Sequence, residues 1–179
     1  MGDKMKQKIL ESIRVVADYP KEGVLFRDIT TLLNNPVAFS MVIEHFKERY
    51  SGEQIDFVVG LESRGFIFGA PLAYALGLGF VPIRKKGKLP YAKVSASYDL
   101  EYGSDEIEIH IDAFAGIQNA RVVLVDDLIA TGGTVQSALK LIEKVGGKCV
   151  EACFLIDLVE FGGSKEIANS TKVYSLLQF

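Results

Sequence analysis

Apolar positions recur at helical spacing in two stretches near the start of the chain. Ile9, Leu10, Ile13 and Val16 predict a helix over 5–16, and Phe39, Val42, Ile43, Phe46 and Tyr50 form the stripe of a second helix over 36–50. Residues 18–23, with Pro20 and Gly23, break the chain between them. Short continuous apolar runs follow. The run IDFVVG at 55–60, and those at 80–84, 120–125 and 149–158, predict buried strands. Helices are predicted at 65–76, closed by Gly77, and at 133–145, closed by Gly146 and Gly147. Strands alternating with helices imply an α/β fold, with a central, mostly parallel sheet flanked by helices.

One region keeps a different period. Tyr98, Leu100 and Tyr102 alternate over 97–102, and Ile107, Ile109 and Ile111 alternate over 106–111. This predicts an antiparallel hairpin turning at 103–105. The stretch before it, 85–96, is basic and aperiodic, and is expected to be an exposed, flexible loop.

Composition narrows the class. The chain has 179 residues, enough for one domain with a substantial core, and its formal net charge is -3. A general nucleic-acid binder would be basic, so no nucleic-acid partner is expected and any phosphate must be held by local sites. No apolar run reaches the roughly 18 residues of a membrane helix, and the Lys-rich start carries no secretory pattern. Cys149 and Cys153 fall in one predicted strand, about 13 Å apart. That is too far to pair, so two reduced thiols and a cytoplasmic location are expected. With only His45 and His110 besides, no zinc-ligand spacing occurs.

The strongest chemical signal is residues 122–134, VVLVDDLIATGGT. An apolar strand is followed by two adjacent carboxylates, Asp126 and Asp127, and then by Ala130, Thr131, Gly132, Gly133 and Thr134 opening a helix. Ligands of α/β sheets bind beyond the carboxyl ends of strands. Glycines allow close backbone approach, and helix-start N–H groups favour an anion. The pattern suits a phosphate monoester, with the two acids accepting hydrogen bonds from neighbouring ribose hydroxyls. A helix cap needs only one such residue and leaves two acids at a buried strand end unexplained. Neither a P-loop nor a GxGxxG motif is present. Two further anion-suited stretches follow strands: GLESRGFIFG at 60–69, with Glu62, Ser63 and Arg64, and RKKGK at 84–88, with Arg84, Lys85 and Lys88.

Residues 122–134 resemble the PRPP-binding motif of the type I phosphoribosyltransferases, where PRPP is 5-phosphoribosyl 1-diphosphate. The stretches VLFRDIT at 24–30, KLP at 88–90, ASYDLEYG at 96–103 and SLLQF at 175–179 resemble the adenine-specific members. The likeness runs from about Tyr19 to the end. It implies a single domain over 1–179 with the type I phosphoribosyltransferase fold, a small N-terminal hood over 1–35, and a flexible loop and hairpin over 85–111 above the site. It also implies the reaction of adenine with PRPP to AMP and pyrophosphate, in purine salvage.

The site roles come from the same resemblance. Asp126 and Asp127 would hold the ribose and 130–134 the 5-phosphate. Glu62, Ser63, Arg64, Arg84, Lys85 and Lys88 would bind pyrophosphate, with a cis peptide near Glu62–Ser63. Phe26 and Leu158 would sandwich adenine while backbone at Val24 and Arg27 reads its edge. Glu101 would manage the purine proton, and Tyr102 would be a lid residue. Mg²⁺ is implied as cofactor, held mainly by substrate and water with no direct protein ligand, and a homodimer is implied as the assembly. A transferase for another base, a PRPP-sensing regulator and a purely structural domain are the alternatives. The first is disfavoured by the 24–30 and 96–103 stretches, the second by the lack of a basic DNA-binding appendage, and the third by three phosphate-suited loops.

Overall fold

Residues 2–100 and 103–179 are described by a computed structural model. They divide into two units, Met1–Arg49 and Tyr50–Phe179.

The first unit holds α1 (Gly2–Glu11), β1 (Arg14–Ala17), β2 (Leu25–Asp28), α2 (Thr30–Leu33) and α3 (Pro36–Tyr50), whose last residue opens the second unit. The helix expected over 5–16 stops at Glu11. Ser12 turns back on Ile9 O with both its N–H (3.1 Å) and its hydroxyl (2.6 Å). The β-branched pair Val15–Val16 then favours a strand and pairs antiparallel with β2, Val16 opposite Phe26. The predicted break at 18–23 is a turn with a cis Tyr19–Pro20 bond, closed by Gly23 N–H donating to Asp18 Oδ1 at 2.8 Å. α3 has the predicted bounds, and Val42 and Phe46 on its stripe are fully enclosed.

The second unit is built on a seven-stranded sheet. Its elements are β3 (Phe57–Leu61), α4 (Arg64–Leu76), β4 (Gly79–Lys85), β5 (Lys93–Leu100), β6 (Gly103–His110), β7 (Ala120–Ile129), α5 (Gly133–Lys144), β8 (Gly147–Asp157), α6 (Gly163–Ile167) and β9 (Lys172–Gln178). The strand order is β5-β6-β4-β3-β7-β8-β9. The five strands from β4 to β9 are parallel, and the β5–β6 hairpin adds antiparallel pairs at one edge. The α/β class with a mostly parallel sheet is therefore as expected. β9 went unread in the sequence because its apolar residues, Val173, Tyr174, Leu176 and Leu177, do not alternate.

Both faces of the sheet are covered. Val59, Leu61, Val122, Leu124 and Phe154 cluster with Val135, Ala138, Leu141 and Ile142 of α5. Each fully buried side chain of this size stabilises the fold by about 1.5–3 kcal/mol relative to exposure. Gly60, between Val59 and Leu61, points to the opposite face, where Phe66 and Gly69 of α4 approach it closely. Chain progression reverses between β3 and β7: β4 lies to one side, and β8 and β9 to the other. Such a switch point opens a crevice at the carboxyl ends of the two strands.

Two boundaries differ from expectation in ways that matter for the site. The loop expected over 85–96 is shorter, since β5 begins at Lys93, and the hairpin does not turn at 103–105. Those residues belong to β6, with Leu100 paired to Gly103. Ile111, the last residue of the predicted apolar alternation, lies beyond the strand and is exposed. Strand β7 continues past Val125 to Ile129. Its pairing with β3 ends at Val125, while that with β8 runs on to Asp157. Asp126 and Asp127 thus sit inside a strand where one neighbour has ended.

Candidate active site

The crevice is lined from both sides of the switch point. From β7 come Asp126 and Asp127, followed by the loop 130–132 into α5. Together with Arg64 they line a cavity of about 170 Å³. Gly132 takes φ 84°, a conformation that favours glycine, and no side chain caps the start of α5. The first-turn N–H groups of a helix lack intrahelical partners, so this 12-residue helix presents donors and a positive dipole end to the cavity. The arrangement suits a phosphate.

The acids differ in setting. Asp127 is 4% exposed and accepts from Arg64 Nε at 2.5 Å. Asp126 is half-buried and accepts the Asp127 N–H at 2.9 Å. Burial, then the adjacent Asp127 charge, push the Asp126 carboxyl well above the usual range. Gly65 makes the close approach of α4 possible, because a Cβ there would stand 2.7 Å from Val125 O and 3.0 Å from Asp126 Oδ1.

From β3 comes the loop with Glu62, Ser63 and Arg64. The Glu62–Ser63 peptide is cis, as the resemblance implied. Glu62 turns to β4: its carboxylate accepts the Lys85 N–H at 2.8 Å and Arg84 Nε at 3.2 Å. Burial pushes the Glu62 carboxyl up, but the Lys85 and Arg84 hydrogen bonds outweigh it and hold the group below its ordinary value. The basic stretch is tied to β6. Lys85 Nζ pairs with Asp105 at 3.0 Å, which raises the lysine and lowers the acid, and Lys86 pairs with Glu106 at 2.7 Å. The Tyr98 hydroxyl donates to Asp105 at 3.1 Å, and Ser137 Oγ of α5 donates to Ser97 O at 3.1 Å, joining the hairpin to α5.

Leu158 follows β8 directly, half-buried, with its N–H on Ile129 O at 2.9 Å. Val24, Phe26 and Arg27 belong to the first unit and are half-buried, and the Phe26 ring meets Tyr19 edge-on at 5.2 Å. The sites expected at Glu101 and Tyr102 lie outside the described residues.

Sequence reasoning missed Gly163. Its N–H donates to Ala130 O at 2.9 Å, and a Cβ on it would stand 2.2 Å from that oxygen. No motif marks it, since its partner is 33 residues away. It also missed Asp105, which falls in the expected turn 103–105, and Glu108, whose alternation with the isoleucines reads as a solvated strand face.

No group of three or more His, Cys, Asp or Glu among the described residues is placed to hold a metal. The carboxylates at this edge are nonetheless hard oxygen donors of the kind Mg²⁺ takes, so they fit as outer partners of an ion carried by a phosphate ligand. Neither Cys149 nor Cys153 is in a disulfide, and burial pushes the Cys149 thiol up to about 11. No described helix is long and apolar enough to cross a membrane.

A parallel sheet with paired acids beside an uncapped helix start at its switch point suits a sugar-phosphate ligand. The family model for the phosphoribosyl transferase domain matches residues 28–178, and the chain belongs to the phosphoribosyltransferase family of enzymes. Within that family the chain is 57% identical to the adenine phosphoribosyltransferase of Campylobacter hominis, over 99% of this chain and 98% of that protein. Its fold matches the adenine phosphoribosyltransferase of Thermoanaerobacter pseudethanolicus with a TM-score of 0.90 at 44% identity, covering 97% and 99% of the two chains. The Saccharomyces cerevisiae enzyme, crystallised with an imino-altritol bisphosphate and adenine, gives 0.89 at 39% identity, covering 97% and 99%.

Proposed function

We propose that this chain transfers the 5-phosphoribosyl group of PRPP to adenine, giving AMP and pyrophosphate for purine salvage in the cytoplasm. The observation that carries the reading is the Asp126–Asp127 pair beside the uncapped start of α5, at the sheet's switch point. The adenine assignment is supported by the 57% identity to a named adenine phosphoribosyltransferase and by the bound adenine of the yeast enzyme.

In this reading residues 130–134 hold the 5-phosphate, and Asp126 and Asp127 accept from the ribose hydroxyls. Arg64, Lys85 and Lys88, with Ser63 and Arg84, receive the diphosphate, while Glu62 holds Arg84 and the Lys85 backbone in place. The C1–O bond to diphosphate breaks, and N9 of adenine forms the new bond from the opposite face, with inversion. Preorganised cations at the leaving group stabilise charge where it develops. A Mg²⁺ ion held mainly by PRPP and water, with Asp126 and Asp127 as outer partners, would neutralise part of the diphosphate charge when bound. Leu158 and Phe26 are assigned to the faces of the base, and Val24 and Arg27 backbone to its edge. Glu101 takes the purine proton, and Tyr102 belongs to the covering hairpin.

A homodimer is part of the same proposal. It is supported by the outer face of α4, where Ile67 and Tyr74 are exposed on a helix with no charged residue after Arg64. Calorimetric titration of the chain with PRPP and Mg²⁺ tests the reading. Saturable one-to-one binding is expected, and absence of binding would overturn it.

A further inference from the structure

Strand β6 carries a buried carboxylate that substrate chemistry does not use. Glu108 is 3% exposed and stands opposite Arg84 in the β4–β6 register. Its Oε2 accepts the Gly87 N–H at 3.1 Å and pairs with Lys93 Nζ at 3.4 Å. Lys93 also donates to Leu89 O at 2.8 Å. Both ends of the connection between β4 and β5 are therefore gathered on one carboxylate. A buried charge needs such partners to be tolerated, so the connection and Glu108 hold each other in a single arrangement. Gly87 sits at the bend with φ 79°.

The cations of this segment are not equivalent. Arg84 is paired with Glu62, Lys85 with Asp105, Lys86 with Glu106 and Lys93 with Glu108. Lys88 makes no ion pair among the described residues and acts on Glu62 only through its field. It is the next residue after Gly87, whose N–H Glu108 grips. Among these cations Lys88 therefore meets an incoming anion without first giving up an ion pair to a described acid.

We infer that Glu108 is a positioning residue for diphosphate, acting through the Gly87 turn on Lys88, without touching the ligand itself. The inference rests on the phosphoribosyl-transfer reading. AMP carries no diphosphate, so loss of this positioning should weaken pyrophosphate and PRPP while sparing AMP. A general loss of fold would weaken all three.

The test is calorimetry of pyrophosphate with Mg²⁺, and of AMP, on wild type, Glu108→Gln, Glu108→Ala and Gly87→Ala. The glutamine keeps an acceptor for the Gly87 N–H and should stay near wild type. The alanine at 108 leaves the Gly87 N–H without its acceptor, and pyrophosphate affinity should fall about tenfold or more, with AMP affinity unchanged. Gly87→Ala meets no neighbour within 4 Å, so only the backbone bend is disturbed. It should reproduce the selective loss even if Glu108→Ala fails to fold. Unchanged pyrophosphate affinity in Gly87→Ala, or parallel loss of AMP and pyrophosphate in a variant that is folded, would overturn the inference. Wild-type protein that binds no pyrophosphate would overturn the transfer reading with it. Wild-type binding with indifferent variants would overturn this inference alone.

Discussion

Arg64 Nε and Asp127 Oδ2 meet at 2.5 Å across the point where the sheet's chain order reverses. One residue opens α4 after β3, and the other lies near the end of β7, so the ion pair joins the two strand ends that frame the crevice. Asp127 is enclosed, whereas the Arg64 side chain is 52% exposed. The guanidinium can therefore turn to an incoming anion while the carboxylate stays where it is. Asp127→Asn should keep the fold and weaken PRPP binding by about tenfold or more, as for loss of a charged hydrogen-bond acceptor. Titration calorimetry measures this, and wild-type affinity in the variant would remove Asp127 from the ribose site.

Gly163 supports the 130–132 loop from behind. Its Cβ position lies 2.6 Å from Thr131 C and 2.7 Å from Gly132 N. These are backbone atoms, so nothing flexible can yield. Gly163→Ala should destabilise the fold by about 1–3 kcal/mol through overpacking and should weaken PRPP binding. Urea unfolding with calorimetry checks both, and a variant unchanged in both would show that the loop stands without this contact.

Asp126 makes stability depend on pH. Its folded pKa is raised, mainly by burial and then by Asp127. The unfolded chain therefore releases this proton first, near pH 4. As pH rises above that value, the unfolded state gains relative to the folded one, until Asp126 also ionises in the fold. Asp126→Asn should thus melt higher than wild type at neutral pH, with the difference shrinking toward pH 4, while PRPP binding falls. Melting curves across this range decide the matter, and a difference independent of pH would contradict the assignment.

Glu101 is assigned to proton transfer. Glu101→Gln should lower kcat by about 10²-fold or more, as for loss of a general acid–base group, with PRPP affinity little changed. Steady-state kinetics with near-normal turnover would end its catalytic role.

The sheet and the loop proposed to hold phosphate were legible because their signals are local. Apolar runs, paired acids and consecutive glycines declare themselves within 13 residues, 122–134. β1 was misread as helix because Val16 continues the helical spacing of Ile9 and Ile13, and only its β2 partner decides for a strand. The hairpin register was misplaced because Gly103 resembles a turn residue, yet pairs within β6. Gly163, Asp105 and Glu108 act across long sequence separations, through contacts that no local pattern encodes.

The central claim is tested most directly by the rate of nucleotide formation from PRPP and Mg²⁺ with adenine, hypoxanthine, guanine and xanthine assayed in parallel. Strong turnover with adenine alone is expected. Preferred turnover of another base would leave the phosphate sites standing and contradict the roles of Phe26, Leu158 and Glu101. PRPP binding without turnover of any base would contradict transfer itself.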